Sequence, residues 1–200
     1  FGTADRRKWD VAEGVALAVG HVSTRRGNRL AVATFGDLDP VVYPDRQGRR
    51  GVLGLLHALR REPTTEPAGT TSFGAACDRA ARLVRRRSLV VAVSDFRGPL
   101  DWRRPLLRLA ARHDVVAVEI RDRREQELPN VGTVWLVDPE TRQQLQVDTR
   151  DARVRERFAA SASAERDELA RVFRSAGVPH VVCSTSGDWL RNLVRFLQLE

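Results

Sequence analysis

The stretch Ser88-Leu89-Val90-Val91-Ala92-Val93-Ser94-Asp95-Phe96 constrains the fold more than any other part of the chain. It is a continuous β-branched apolar run that stops abruptly on Ser-Asp. A strand apolar on both faces needs cover on both sides, as a central parallel strand has between two layers of helices. Open α/β sheets bind ligands in the crevice beyond the carboxyl ends of such strands. Asp95 therefore stands where a metal ion or a phosphate would be met. The competing role is local, because an Asp after a strand commonly caps the next helix or turn.

The rest of the chain supplies the alternating elements that such a strand requires. Helical spacing of Val11, Val15, Val19 and Val22 predicts a helix over 10–26, closed by Gly27-Asn28. Gly14 and Gly20 inside it point to close packing against a sheet or another helix. A strand follows over 30–35, then a short extended segment over 41–43 and a helix over 49–61. A Pro/Thr loop over 62–69 leads to a helix over 72–86 and the Val90 strand. Pro105 fits only the first turn of the next helix, which runs to about Arg112. Strands are expected over 115–120 and 131–137, with a turn at 138–141 and a short return over 144–147. A long helix over 150–175, a strand over 179–183 and a helix over 188–197 complete the series. Trp189, Leu190, Leu193, Val194 and Leu197 are expected to face inward. Strands alternating with helices predict a mainly parallel, doubly wound sheet.

Composition narrows the function classes. With 200 residues, 42% hydrophobic and 30% charged, the chain reads as one soluble domain over 1–200. No stretch approaches the roughly 18 apolar residues of a membrane span, so a cytoplasmic setting is expected. The chain starts at Phe1 and has no Met. A missing upstream segment is therefore expected, one that could carry membrane anchors or further domains. Lys8 is the single lysine among 34 basic residues, and the formal charge is +8. The Arg bias reads first as codon usage. Clustered Arg also suits phosphates, but these are interleaved with 26 acids, which favours a solvated surface. Cys77 and Cys183 lack ligand spacing, so buried thiols are expected rather than zinc. His21, His57, His113 and His180 are scattered and pair with no evident nucleophile. His113 ends a helix, where a protonated imidazole would suit the dipole.

Two strand-end features can be brought together. Gly69-Thr70-Thr71-Ser72 is a hydroxyl-rich loop entering a helix, and Asp95 is the carboxylate described above. Hydroxyl oxygens and a carboxylate form a hard-ligand set suited to Mg²⁺ or Mn²⁺. Capping of the helix accounts for the hydroxyls equally well.

The matching stretches are Phe1-Gly2-Thr3, Lys8-Trp9-Asp10-Val11-Ala12, Arg26-Gly27-Asn28-Arg29-Leu30, Phe35-Gly36, Gly69-Thr70-Thr71, Val93-Ser94-Asp95-Phe96 and His113-Asp114-Val115-Val116. Leu128-Pro129-Asn130-Val131-Gly132 and Asp138-Pro139-Glu140-Thr141 continue them. The order strand, Thr-loop-helix and strand ending in Ser-Asp resembles a von Willebrand factor A domain, and within that fold these stretches resemble the bacterial family known as domain of unknown function 58. That resemblance implies a Rossmann-like sheet and a metal-ion-dependent adhesion site. Its Asp-x-Ser-x-Ser motif would lie just before Phe1, so the first central strand and three of the five ligands are expected to be absent. Thr71 would be the site's Thr, with Thr70 as substitute, and Asp95 its second Asp. An unpaired gap is expected beside the strand over 30–35 or that over 89–94. No cation should be held tightly by Thr71 and Asp95 alone.

The resemblance further implies a non-enzymatic adaptor that takes an acidic residue of a partner protein. The partner class is a MoxR-type AAA+ ATPase acting in assembly or remodelling. One alternative is a Mg-dependent phosphoryl-transfer enzyme using Asp95, with Asp37 or Asp39 as the second carboxylate. Another is an Arg-rich nucleic-acid binder.

Overall fold

The structure is a computed structural model and describes residues 6–36, 42–59, 72–137 and 144–199. Its central unit is a three-stranded parallel sheet in the order β3 (Leu89–Ser94), β4 (Asp114–Arg121), β7 (His180–Ser184). The register runs from Leu89 beside Asp114 to Ser94 beside Glu119, and from Ala117 beside His180 to Arg121 beside Ser184. All three strands therefore finish at one edge.

Helices cover both faces, as the apolar β3 run requires. On one face Val115 and Ala117 pack against α3 (Phe73–Leu83), α4 (Arg103–Ala110) and α5 (Ala152–Ser175) through Cys77, Leu106, Leu109, Leu169, Val172 and Phe173. On the other, Val118 and Ile120 meet α1 (Lys8–Arg25) and α6 (Trp189–Leu199) through Val11, Val15 and Leu193. Alternation along β4 thus feeds two separate cores from one strand.

The parallel sheet is smaller than expected. Among the described residues four of the seven strands form antiparallel pairs instead: β1 (Arg29–Ala33) with β2 (Val42–Gln47), and β5 (Thr133–Val137) with β6 (Gln144–Asp148). Among the described residues β1 pairs only with β2, and β3 only with β4. Among the described residues β3 is therefore an edge strand of this sheet, where a central one was expected. Leu89 on β3 is 56% exposed. β5 and β6 lie outside the core, and Trp135 and Leu145 stand in solvent.

α1 packs against both the parallel sheet and the β1–β2 pair. Its first half packs on the parallel sheet, and its second half meets β1 and α2 (Gly48–Leu59). The glycines act as anticipated: a Cβ on Gly14 would lie 2.6 Å from the Trp189 ring, and one on Gly20 would lie 2.7 Å from Leu55. Gly27 takes φ 79° just past the helix end. Two expectations about helix faces change. α6 buries Leu193 and half-buries Trp189 and Phe196, while Leu190, Val194 and Leu197 are exposed. His113 is 3% exposed, with no hydrogen-bond partner on either ring nitrogen. Burial lowers its pKa, which favours the neutral imidazole over a charged dipole partner.

Candidate functional site

The chain turns sharply where β3 ends. Phe96 has φ 51°, the one positive value at a non-glycine among the described residues. A bulky L-residue in the left-handed region is strained by about 1–3 kcal/mol and persists only where its surroundings impose it. Here the imposition is packing. The Phe96 ring is 4% exposed and makes edge contacts with Phe73 and Phe173 at centroid distances of 5.0 and 4.9 Å. Two side chains brace the same turn: Ser94 Oγ accepts the Phe96 N–H at 3.1 Å, and Asp95 Oδ1 accepts the Arg97 N–H at 3.4 Å. With Phe96 driven inward, Asp95 projects from the sheet edge, and its side chain is 42% exposed.

Asp95 does not stand alone. Lys8, the first residue of α1, places its Nζ 3.1 Å from Asp95 Oδ2 and 2.5 Å from Glu125 Oε1. Glu125 belongs to a short 3₁₀ turn after β4 (Arg123–Glu125) and also faces Arg97 at 3.7 Å. The side chains of Lys8 and Glu125 are only 16% and 10% exposed. Two cations and two carboxylates form a neutral quartet at the strand ends.

The neighbouring strand ends carry polar groups that are already satisfied. Asp122, 1% exposed after β4, accepts the Thr185 hydroxyl at 2.8 Å and the Arg124 N–H at 2.8 Å. Deeper on the α5 side of the sheet, Arg121 forks onto both oxygens of Glu119 at 2.8 Å, and His180 Nε2 lies 2.9 Å from Oε2. Burial alone would raise the Glu119 pKa, but His180 and Arg121 hold it below the ordinary value. Cys77 and Cys183 are buried and free, and burial pushes their thiols to about 12 and about 11. Such thiols are unreactive.

Of the residues singled out from sequence, Asp95 stands just past the carboxyl end of β3, whereas Thr70, Thr71, Asp37 and Asp39 lie outside the described residues. Ser72 caps α3 by accepting the Ala75 N–H at 3.2 Å. Asp122, Glu125 and the role of Lys8 were not anticipated. Asp122 has the same signature as Asp95, an Asp closing a β-branched run, and Lys8 is the sole lysine. As a ligand Asp95 suits a hard cation: it is an exposed carboxylate whose Oδ1 carries only the long Arg97 contact. The described residues do not close a coordination shell, since no group of three or more His, Cys, Asp or Glu side chains gathers among them.

The fold and site define a helix-sheet-helix α/β domain with its polar groups on the carboxyl edge of a parallel sheet. The profile of the family described as "Protein of unknown function DUF58" matches residues 1–168, and the chain belongs to that family. It is 38% identical over 198 residues to the uncharacterized protein Rv1480 of Mycobacterium tuberculosis, covering 98% of this chain and 62% of that protein. It is 40% identical over 155 residues to the uncharacterized protein MAV169 of Mycobacterium avium, covering 78% of this chain and 91% of that one. The chain thus spans about three-fifths of the length of the first of these relatives. Among solved structures it is similar to the conserved hypothetical protein BatB of Bacteroides thetaiotaomicron. The TM-score there is 0.53 at 10% identity, over 94% of this chain and 86% of that one, a likeness of fold. Among the described residues no helix is long and apolar enough to cross a membrane.

Proposed function

We propose that this chain is a non-enzymatic protein-interaction module whose docking point is the Asp95 end of β3. Asp95 and Thr71, with Thr70 as the alternative hydroxyl, are the ligands it contributes to a metal-ion-dependent adhesion-type site for Mg²⁺ or Mn²⁺. The other ligands belong to the Asp-x-Ser-x-Ser segment that the family resemblance puts ahead of Phe1. When bound, the ion offers an open position to a carboxylate of a partner protein, and a MoxR-type AAA+ ATPase is the partner class the resemblance implies. The chain's own part is to hold Asp95 outward on a rigid turn. One observation carries this reading: an exposed carboxylate at the carboxyl edge of a parallel sheet, fixed there by the left-handed Phe96.

The histidines support a binding role over a catalytic one. His180 is engaged by Glu119, His57 meets the Tyr43 ring edge-on at 5.5 Å, and His113 is sealed in the core. Several arginines are likewise committed to acids, Arg87 to Asp114 and Arg108 to Asp78 at 2.7 Å each. These pairings favour a solvated surface over a phosphate-binding one.

The test is the affinity of the full-length protein for a MoxR-type ATPase of the same organism, measured by calorimetry in Mg²⁺, in EDTA, and with Asp95→Ala. Losses of about tenfold or more, 1.4 kcal/mol, are expected from EDTA and from the substitution. Unchanged affinity in both arms contradicts the proposal.

A further inference from the structure

We propose that the groove between α2 and the β1–β2 ribbon docks an acidic segment of a partner protein, which sets one apolar side chain over Gly54 and its carboxylates on Arg46 and Arg50. The site is separate from Asp95 and calls for no metal.

The groove follows from how α2 lies on the ribbon. Leu30 stands opposite Arg46 and Val32 opposite Tyr43, so all four project from one face. Between those pairs β2 carries two residues, Pro44 and Asp45, where β1 has one, a bulge that bends the ribbon. α2 touches the ribbon at Gly51, where a Cβ would stand 2.8 Å from the Arg46 carbonyl oxygen. It parts from the ribbon at Gly54, where a Cβ would meet nothing within 4 Å. Between them lies a cavity of about 240 Å³, lined by the half-buried Leu30, Val32 and Tyr43 and the buried Leu55. Arg46 and Arg50 stand exposed at its margin.

Three features say what fits. Glycine is costly inside a helix, and no contact within the described chain requires it at 54. Bare backbone facing a groove suits the close approach of something from outside. Charge gives the second. α2 carries Arg49 and Arg50 and no acid, and among the described residues neither Arg46 nor Arg50 has a side-chain hydrogen bond or ion pair. Arg29 on the same ribbon, by contrast, takes Asp45. Two unpaired guanidiniums beside an apolar surface select carboxylates. Size is the third. The cavity is smaller than the roughly 300–1,000 Å³ of small-molecule sites, and it suits a single anchoring side chain of a larger partner.

The experiment is fluorescence anisotropy of the full-length protein, in EDTA, with labelled octapeptides that each carry one Leu, Ile or Phe among Asp and Glu. Saturable binding of at least one such peptide is expected. Gly54→Leu, which fills the groove, and the double variant Arg46→Glu/Arg50→Glu should each weaken it about tenfold or more. Replacing the peptide's apolar residue by Ser should do the same. Arg85→Glu/Arg86→Glu, which removes equal charge elsewhere on the surface, should stay within about twofold. No binding by any peptide, or equal losses from the two charge reversals, overturns the proposal. So does binding that hexanoate displaces as well from the Gly54→Leu variant as from wild type. Binding that appears only in Mg²⁺ would assign the peptides to the Asp95 site, and the groove would fail while that reading stood. Should Gly54→Leu not fold, the two charge reversals and the Ser peptide decide.

Discussion

The ammonium of Lys8 lies 3.1 Å from Oδ2 of Asp95, joining the first turn of α1 to a strand end 87 residues away in the chain. Because Glu125 shares that ammonium, one side chain ties α1, the end of β3 and the turn after β4. The position of Asp95 is thus set from two directions: the Phe96 ring anchors the backbone behind it, and Lys8 holds its side chain in front.

Phe96→Ala should remove the anchor. The ring touches Phe73, Trp102 and Phe173, and the backbone keeps its strained φ without the packing that imposes it. A loss of about 3–5 kcal/mol is expected, read from urea unfolding. A loss below about 1 kcal/mol, small for a buried aromatic, would mean that the ring does not hold the turn.

Two glycines three residues apart on α2 should respond with opposite signs. A Cβ on Gly51 would stand 2.8 Å from the Arg46 carbonyl oxygen, a backbone atom, whereas one on Gly54 meets nothing within 4 Å. Gly51→Ala is expected to destabilise by about 1–3 kcal/mol. Gly54→Ala should stabilise by about 0.5–1 kcal/mol through helix propensity. Thermal unfolding of the two variants checks both signs.

His113 should give a stability slope below neutrality. Burial lowers its folded pKa from 6.5, with Arg112 adding to the effect and Asp114 opposing it. Below pH 6.5 the unfolded chain therefore binds the proton more readily, so stability is level above that pH and declines beneath it. His113→Leu removes two unpartnered ring nitrogens from the core and should flatten that slope with little loss at pH 8. Urea midpoints across pH 5–8 measure it.

Glu119 sets a second, more acid window. Its folded pKa lies below 4.5: burial works against ionisation, and the His180 hydrogen bond and the Arg121 guanidinium outweigh it. Its contribution is present above pH 4.5 and is lost as the pH falls through the folded value. Arg121→Met leaves the carboxylate to His180 alone. It should cost about 2 kcal/mol at pH 7 and shift acid unfolding to higher pH, followed by circular dichroism.

The sequence made the elements legible because their signals are local. The Val90 run, the helical spacing of Val11 and Val15 and the Pro105 boundary each depend on neighbours within a turn or a strand. Asp95 could be placed because a strand end is itself a local mark. Asp122 carries the same mark after the run over 115–121. The Lys8–Asp95–Glu125 link was not legible, since it is made by packing α1 across the sheet edge. The division into one parallel and two antiparallel sheets was hidden for a similar reason, because strand pairing is set by long-range register. On β2, Pro44 and mostly exposed side chains left no alternation to read beyond Tyr43, although the strand runs to Gln47.

The proposal depends above all on Asp95 being a metal position. The direct measurement is a Mg²⁺ titration of the full-length protein as wild type and as Asp95→Asn, a change that keeps the shape of the side chain and removes its charge. Saturable binding by the wild type, weakened at least about tenfold in the variant, is the predicted result. Equal binding by the two proteins, or none by either, would contradict it.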